Sequence, residues 1–241
     1  MMLCLDAGNT RLKFGLFGGA AWLIQGARDY QEFDDLVEQL PARPTRIVAC
    51  NVAGDAIRAR VDALAGRLDV PLNWLTGSAA ACGVTNRYDV PGQLGADRWS
   101  ALIAAWAVHA GRPSVVIMAG TATTIDVLDG TGVFRGGVIL PGLSLMRAAL
   151  ARNTAGLPNA AGHYRLQPTN THDAIVSGAI HATLGAVARL RSTLDEDAQC
   201  LLSGGAAAEL APHIEAPCRR IENLVLEGLA HYGRNCLDVP N

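Results

Sequence analysis

Apolar residues fall in short blocks through the first half of the chain, divided by polar turns. Residues 3–8 (LCLDAG) and 13–17 (KFGLF) read as two strands of a hairpin. Residues 45–52 (TRIVACNV) read as a third strand, rich in β-branched positions and flanked by turn formers. Residues 30–40 (YQEFDDLVEQL) and 55–68 (DAIRARVDALAGRL) carry apolar positions at helical spacing. Residues 96–111 (ADRWSALIAAWAVHAG) predict a strong helix. Asp97 lies in its first turn, Gly111 is placed to end it, and Pro113 follows just beyond.

The second half opens with strands at 114–120 (SVVIMAG), 125–130 (IDVLDG) and 132–140 (GVFRGGVIL). Helical spacing returns at 143–152 and 173–194. A late strand, CLLSGG, ends in two glycines, and helices are expected over 206–213 and 222–237. The pattern is mixed α/β.

Two stretches share one shape. LCLDAGNTRLKF and VVIMAGTATTID both read apolar strand, Ala-Gly, small hydroxyl or amide residues, apolar strand. Ala7-Gly8 falls on Ala119-Gly120, an offset of 112 residues and close to half the chain. A repeat at half-length predicts two similar domains, 1–112 and 113–241, each opening on a strand-turn-strand element. Chance likeness of two glycine turns is the competing reading.

Composition narrows the function classes. Half of the 241 residues are hydrophobic, and 20 basic against 22 acidic residues give a net charge of −2 with no run of like charge. Neither nucleic acid nor a membrane surface is an expected partner. No segment reaches the roughly 20 apolar residues of a membrane span. Asp6 interrupts the apolar start and no basic region precedes it, so no signal peptide is expected. The six cysteines form no CxxC and read as buried, reduced thiols of a cytoplasmic protein. The six histidines show no metal spacing.

One basic residue stands out: Lys13 is the single lysine beside nineteen arginines. Turns of glycine and small hydroxyl residues expose backbone N–H groups that suit phosphate oxygens. Neither turn is a Walker A loop or a GxGxxG feeding a helix, and each taken alone fits an ordinary hairpin. Asp6 changes the balance for the first turn. An unpaired carboxylate ending a buried strand is costly, and a Mg²⁺ ion carried by phosphates would offset that cost. Lys13 would supply a point charge to the same phosphates. SGGAAAEL (203–210) would let a flat ring approach the backbone, and fits a plain strand-to-helix turn equally well.

Together these residues resemble a known family. DAGNTRLK resembles the first phosphate motif of the acetate and sugar kinase, Hsp70 and actin superfamily, GTATTID its second, and SGGAA its adenosine motif. Within it the chain is similar to type III pantothenate kinase, also called the Bvg accessory factor family. DAGNTRLK, YDVPGQLGADRW, GTATTID, GGVILPG, NTHDAIVSGA and ENLVLEGL carry that likeness across nearly the whole length.

The resemblance implies two ribonuclease-H-like (actin-like) domains with mixed sheets flanked by helices around a cleft. It implies transfer of the ATP γ-phosphoryl group to the hydroxyl of pantothenate, and a homodimer. The first domain would hold the first phosphate motif and the substrate loop, the second the second phosphate and adenosine motifs. Asp97 matches the proton acceptor. Asp6, Ala7, Gly8, Asn9, Thr10, Arg11, Leu12 and Lys13, with Thr121, match the ATP contacts, and Asp6 keeps the Mg²⁺ role read from its burial. Tyr88, Gly95, Ala96, Asp97, Arg98 and Thr171 match the pantothenate contacts. Read on local pattern alone, Asp97 and Thr171 equally fit helix capping, and Arg98 a surface ion pair.

The chain departs from the family at one place. Many members carry an acid three residues before the first Thr of GTxxT, where it holds K⁺ or NH₄⁺, and here that position is Met118. A thioether is no ligand for a hard cation, so monovalent activation is expected to be weak or absent. Two other functions stay open from sequence: another small-molecule kinase of the superfamily, and a nucleotide-binding accessory or regulatory protein without turnover.

Overall fold

The computed structural model describes residues 1–109, 111–158, 161–194 and 198–237. In chain order the elements begin with β1 (Met2–Ala7), β2 (Leu12–Phe17), β3 (Trp22–Arg28), β4 (Arg46–Asn51), α1 (Asp55–Leu68), β5 (Leu72–Trp74), β6 (Ala80–Ala81), β7 (Val84–Asn86) and α2 (Ala96–His109). Then follow β8 (Ser114–Ala119), β9 (Ala122–Leu128), β10 (Val133–Pro141), α3 (Leu143–Asn153), α4 (Thr171–Arg191), β11 (Gln199–Ser203), α5 (Ala207–Leu210), β12 (Cys218–Arg220) and α6 (Leu224–Asn235).

Contacts divide these elements into two compact units. The first holds residues 1–109, 132–134 and 223–237; the second holds the described residues of 111–131 and 135–222. A cut at residue 112 follows chain order, whereas the units do not: α6 groups with the first. It packs there on α2, where Ser100 Oγ donates to the carbonyl of Val225 (2.8 Å).

The sheet of the first unit runs β3-β2-β1-β4-β5. β1 pairs antiparallel with β2 and parallel with β4; β2 and β3 are antiparallel, β4 and β5 parallel. In the second unit the strands run β10-β9-β8-β11-β12. β8 pairs antiparallel with β9 and parallel with β11, and β11 parallel with β12. Over these five strands the two orders correspond, while the second sheet runs on from β10 to β7 and β6.

Period-2 alternation sorts the side chains of β1. Leu3 and Leu5 join Phe14, Ile47, Val61 and Leu64 in a buried core against α1. Met2, Cys4 and Asp6 take the opposite face, where Met2 and Val48 lie against Gly233 of α6. The core of the second unit forms the same way, from Val115, Ile117, Ile125, Val176, Ile180 and Leu202.

Three sequence expectations need correction. Residues 30–40 form two short 3₁₀ turns, Tyr30–Glu32 and Val37–Gln39, and not an α-helix. Their apolar anchors Phe33 and Leu36 lie three apart, a spacing that 3₁₀ geometry satisfies as well. β3, absent from the expected strands, is an edge strand with no buried position, so its alternation is weak. Cys82 and Cys236 are joined by a disulfide with Cα atoms 6.0 Å apart, so the reduced-thiol reading fails for this pair. It holds for Cys4, Cys50 and Cys200, which are free and buried, while free Cys218 is partly exposed.

Candidate active site

In the first unit the site begins at the β1–β2 hairpin. Ala7 pairs with Leu12 and Asp6 with Lys13, leaving 8–11 as the turn. Asn9, Thr10 and Arg11 are exposed, so the turn offers its backbone outward. Asp6 is buried at 5% exposure. Its Oδ2 lies 3.8 Å from Lys13 Nζ, and its Oδ1 accepts a weak bond from the Cys50 thiol at 3.6 Å. Burial pushes the carboxyl up to about 6; Lys13 works against that shift, and the negative charge of Asp97 adds to it. Asp6 and Asp97 therefore act on one another electrostatically, although ninety residues separate them. The parallel β1–β4 pairing delivers Asp6 to the end of its strand, on the face covered by α2 and α6.

α2 supplies the rest. Gly95 precedes it, and the Gly95 carbonyl accepts from Trp99 N (2.9 Å), the first helical bond. Asp97 is the second residue, and its Oδ1 accepts from Arg98 N (2.8 Å), one of the N–H groups left over at a helix start. The helix end thus holds the carboxylate in place. A side chain on Gly95 would strike it: a Cβ there would sit 2.7 Å from Asp97 Oδ1. Ala96 is buried at the start of the helix.

Arg98 is 5% exposed. Its Nη1 donates to the Tyr88 hydroxyl (2.8 Å), and its guanidinium carbon stands 5.6 Å from the Tyr88 ring and 5.9 Å from the Phe134 ring. The two rings lie 5.4 Å apart. Asn86 arranges this loop: its amide donates to the carbonyls of Ser78 and Pro91 (3.1 Å each), and its oxygen accepts from Tyr88 N (3.0 Å). Val133 and Phe134 pair in parallel with Thr85 and Asn86, which brings Phe134 to the loop.

The second unit carries the counterpart hairpin. Met118 pairs with Thr124 and Ala119 with Thr123. Thr124 thus takes the hairpin place that Lys13 holds in the first unit, and Met118 the place of Asp6. The Oγ1 atoms of Thr123 and Thr124 are buried without a hydrogen-bond partner among the described residues. Thr121, at the turn, is exposed, and its carbonyl accepts from Gly142 N (2.9 Å). The glycine-pair motif is tied to the same hairpin, because Ala206 N donates to the Ala119 carbonyl (3.0 Å). Thr171 is the first residue of α4 and exposed; Asn170, not Thr171, caps that helix by accepting from Asp173 N (2.9 Å).

The first unit therefore gathers Asp6, Lys13, Tyr88, Gly95, Ala96, Asp97 and Arg98, and the second carries Thr121 beside the glycine pair. Sequence reading missed Tyr30, Cys50, Asn86 and Phe134. Asn86 left a usable trace, an Asn two residues before Tyr88 that suits an Asx turn. Phe134 left none, since its role depends on a strand pairing 48 residues away.

Comparison with known proteins now bears on this geometry. The family model for type III pantothenate kinase matches residues 2–193. A type III pantothenate kinase of Aromatoleum aromaticum is 49% identical over 97% of this chain and 98% of its own length. That of Dechloromonas aromatica is 45% identical over 96% of this chain and 98% of its own. Among solved structures, a candidate Baf family transcriptional activator from Campylobacter jejuni superposes with a TM-score of 0.67 at 20% identity, covering 97% of this chain and 98% of that one. A candidate 2-dehydro-3-deoxygalactonokinase from Sinorhizobium meliloti superposes with a TM-score of 0.64 at 16% identity, covering 99% and 100%. These two likenesses speak for the fold alone.

Proposed function

The chain belongs to the type III pantothenate kinase family, and we propose on that premise how its own residues carry the reaction. The enzyme phosphorylates pantothenate with ATP, the first step of coenzyme A biosynthesis. Phosphoryl transfer asks for positioning, for charge stabilisation, and for a group to take the proton of the attacking hydroxyl.

Asp97 takes that proton. The observation that carries the assignment is its place at the α2 N-terminus, held by Arg98 N and by the bare backbone of Gly95, within electrostatic reach of Asp6. As the hydroxyl oxygen of pantothenate bonds to the γ-phosphorus, its proton passes to Asp97 and the bond to the β,γ-bridging oxygen breaks, leaving ADP. Arg98, with Tyr88 against it, holds the pantothenate carboxylate through a guanidinium fork. Gly95, Ala96 and Thr171 complete the pantothenate contacts. The turn Ala7–Leu12 and Thr121 bind the phosphates of ATP, and Lys13 offsets their charge.

Mg²⁺ fits Asp6. Its carboxyl is buried, is only partly offset by Lys13 at 3.8 Å, and feels Asp97. Among the described residues no group of three or more His, Cys, Asp or Glu side chains could hold a metal. Held by Asp6, the ion would supply positive charge to offset that of the phosphates. Met118 supplies no hard oxygen, so K⁺ or NH₄⁺ has little effect on turnover.

The reading places the reaction in the cytoplasm, where ATP is held. Among the described residues no helix is long and apolar enough to cross a membrane. A homodimer is part of the proposal. Leu145, Leu150 and Ile139 are exposed on the second unit, and a cavity of about 460 Å³ between α3 and α4 is lined by Leu145, Met146, Leu150 and Ile175. Light scattering of the purified protein tests the dimer.

The central test is ADP release by purified protein given ATP, Mg²⁺ and pantothenate. Turnover that does not depend on pantothenate sinks the assignment. The same assay run with and without K⁺ tests Met118, and strong activation refutes that part.

A further inference from the structure

We propose that Tyr30 is a positioning residue for the first phosphate turn, a role that rests on the kinase reading of that turn. Its hydroxyl donates to the carbonyl of Gly8 at 2.6 Å, reaching the turn from a segment 22 residues away. In a trans peptide the C=O and the following N–H point in opposite directions. Holding the Gly8 carbonyl toward Tyr30 therefore aims the N–H of Asn9 the other way, to the exposed side of the turn. Glycine tolerates both orientations of that peptide. Flipped, it would present a carbonyl oxygen to the phosphates in place of a donor. Tyr30 removes that choice.

Tyr30 is itself braced. Arg60 of α1 donates from Nη1 to the Tyr30 carbonyl (2.7 Å) and from Nη2 to Asp34 (3.1 Å). The same guanidinium lies 4.7 Å from the ring centre of Phe33, which is 1% exposed. Helix, 3₁₀ turn and phosphate hairpin are thus linked through one residue, the helix at its carbonyl and the hairpin at its hydroxyl. The phenol also keeps its proton: burial, then the nearby negative charge of Asp6, push its pKa up to about 12. It remains a donor throughout the pH range in which the enzyme works.

The test is Tyr30→Phe, which keeps the ring and deletes the donor. Calorimetric titration with Mg²⁺-ATP and steady-state kinetics are compared with wild type. The expected result is nucleotide affinity weakened about tenfold, the size of one lost hydrogen bond. Adenosine affinity and the KM for pantothenate should change less than about twofold, since neither uses the phosphate turn. A merely structural role would weaken all three together. Equal loss across the three, or ATP affinity within about twofold of wild type, overturns the role of Tyr30 while leaving the kinase reading intact if the wild type turns over. A wild-type protein that binds no Mg²⁺-ATP overturns both.

Discussion

Lys13 stands directly opposite Asp6 across the β1–β2 hairpin, with its Nζ 3.8 Å from Asp6 Oδ2. At that distance the pair is loose, and the lysine offsets only part of what burial does to the carboxyl, which stays raised to about 6. On the proposed reading Asp6 serves a ligand, because its burial in the free protein disfavours the charged carboxylate. Lys13 is partly exposed, which on the same reading leaves it free to turn to that ligand.

The stability of the free enzyme should show this. An acid whose pKa is higher in the folded state than in the unfolded one binds more protons when folded, between about pH 4 and pH 6. Its contribution is full below about pH 4 and is lost as pH rises through about 6. At neutral pH the ionised form then costs up to about 3 kcal/mol. Asp6→Asn should raise Tm by a few degrees at pH 7.5, flatten its decline between pH 4 and 6, and abolish turnover. Melting curves across that range check it. A variant no more stable than wild type above pH 6 would falsify this account.

Gly95 gives a second prediction, because a Cβ there meets Asp97 Oδ1 at 2.7 Å. The obstructed atom belongs to a short, anchored side chain, so Gly95→Ala must turn the carboxylate away from Arg98 N. A displacement of about 1 Å at a reacting group can cost on the order of 100-fold. Gly95→Ala should lower kcat by about that factor with little change in the KM for ATP. Asp97→Asn should lower it by about 100-fold to 10,000-fold, the range of general-base catalysis. An Asp97→Asn enzyme with normal kcat removes the proton-acceptor role.

Arg98 and Tyr88 predict a split between the two substrates. A hydrogen bond involving a charged group is worth about 1.5–3 kcal/mol. Tyr88→Phe keeps the ring against Phe134 and removes the acceptor for Arg98 Nη1. The KM for pantothenate should rise about tenfold or more, and the KM for ATP should hold. Pantothenamides, which lack the carboxylate, should show a smaller change. Equal effects on both substrates would mean that the loop supports the fold and does not read the substrate.

The parts of the site that were legible in the sequence are those written as local patterns. DAGNTRLK shows its hairpin because strand, turn and strand are contiguous, whereas Asp97 and Arg98 show only through the family resemblance, since a helix start marks an Asp there equally well as a cap. α1 matches its expected span, residues 55–68, since its apolar spacing and its turn residues agree. What was illegible is non-local. The hydroxyl of Tyr30 on Gly8, the thiol of Cys50 on Asp6 and the ring of Phe134 beside Arg98 all depend on strand pairings or loop packing. The grouping of α6 with the first unit has no local signature either. Nor does the corresponding order of five strands in the two sheets have one.

The Cys82–Cys236 disulfide gives the last prediction. It joins the β6–β7 turn to the end of α6, closing a sequence separation of 154 residues. In the chain-entropy picture, closing a loop of this order restricts the unfolded state by up to about 5 kcal/mol. Oxidised protein should therefore melt several degrees higher than the same protein in dithiothreitol, and Cys82→Ser and Cys236→Ser should each abolish that difference. Cys82 lies six residues before Tyr88, so reduction should also raise the KM for pantothenate more than that for ATP. Peptide mapping without reductant identifies the bonded pair. A cytoplasm that keeps thiols reduced would hold the enzyme in its less stable form, and export to an oxidising compartment would reverse that. A melting temperature that ignores dithiothreitol, with both thiols free on mapping, removes the bond and its consequence for the substrate loop together.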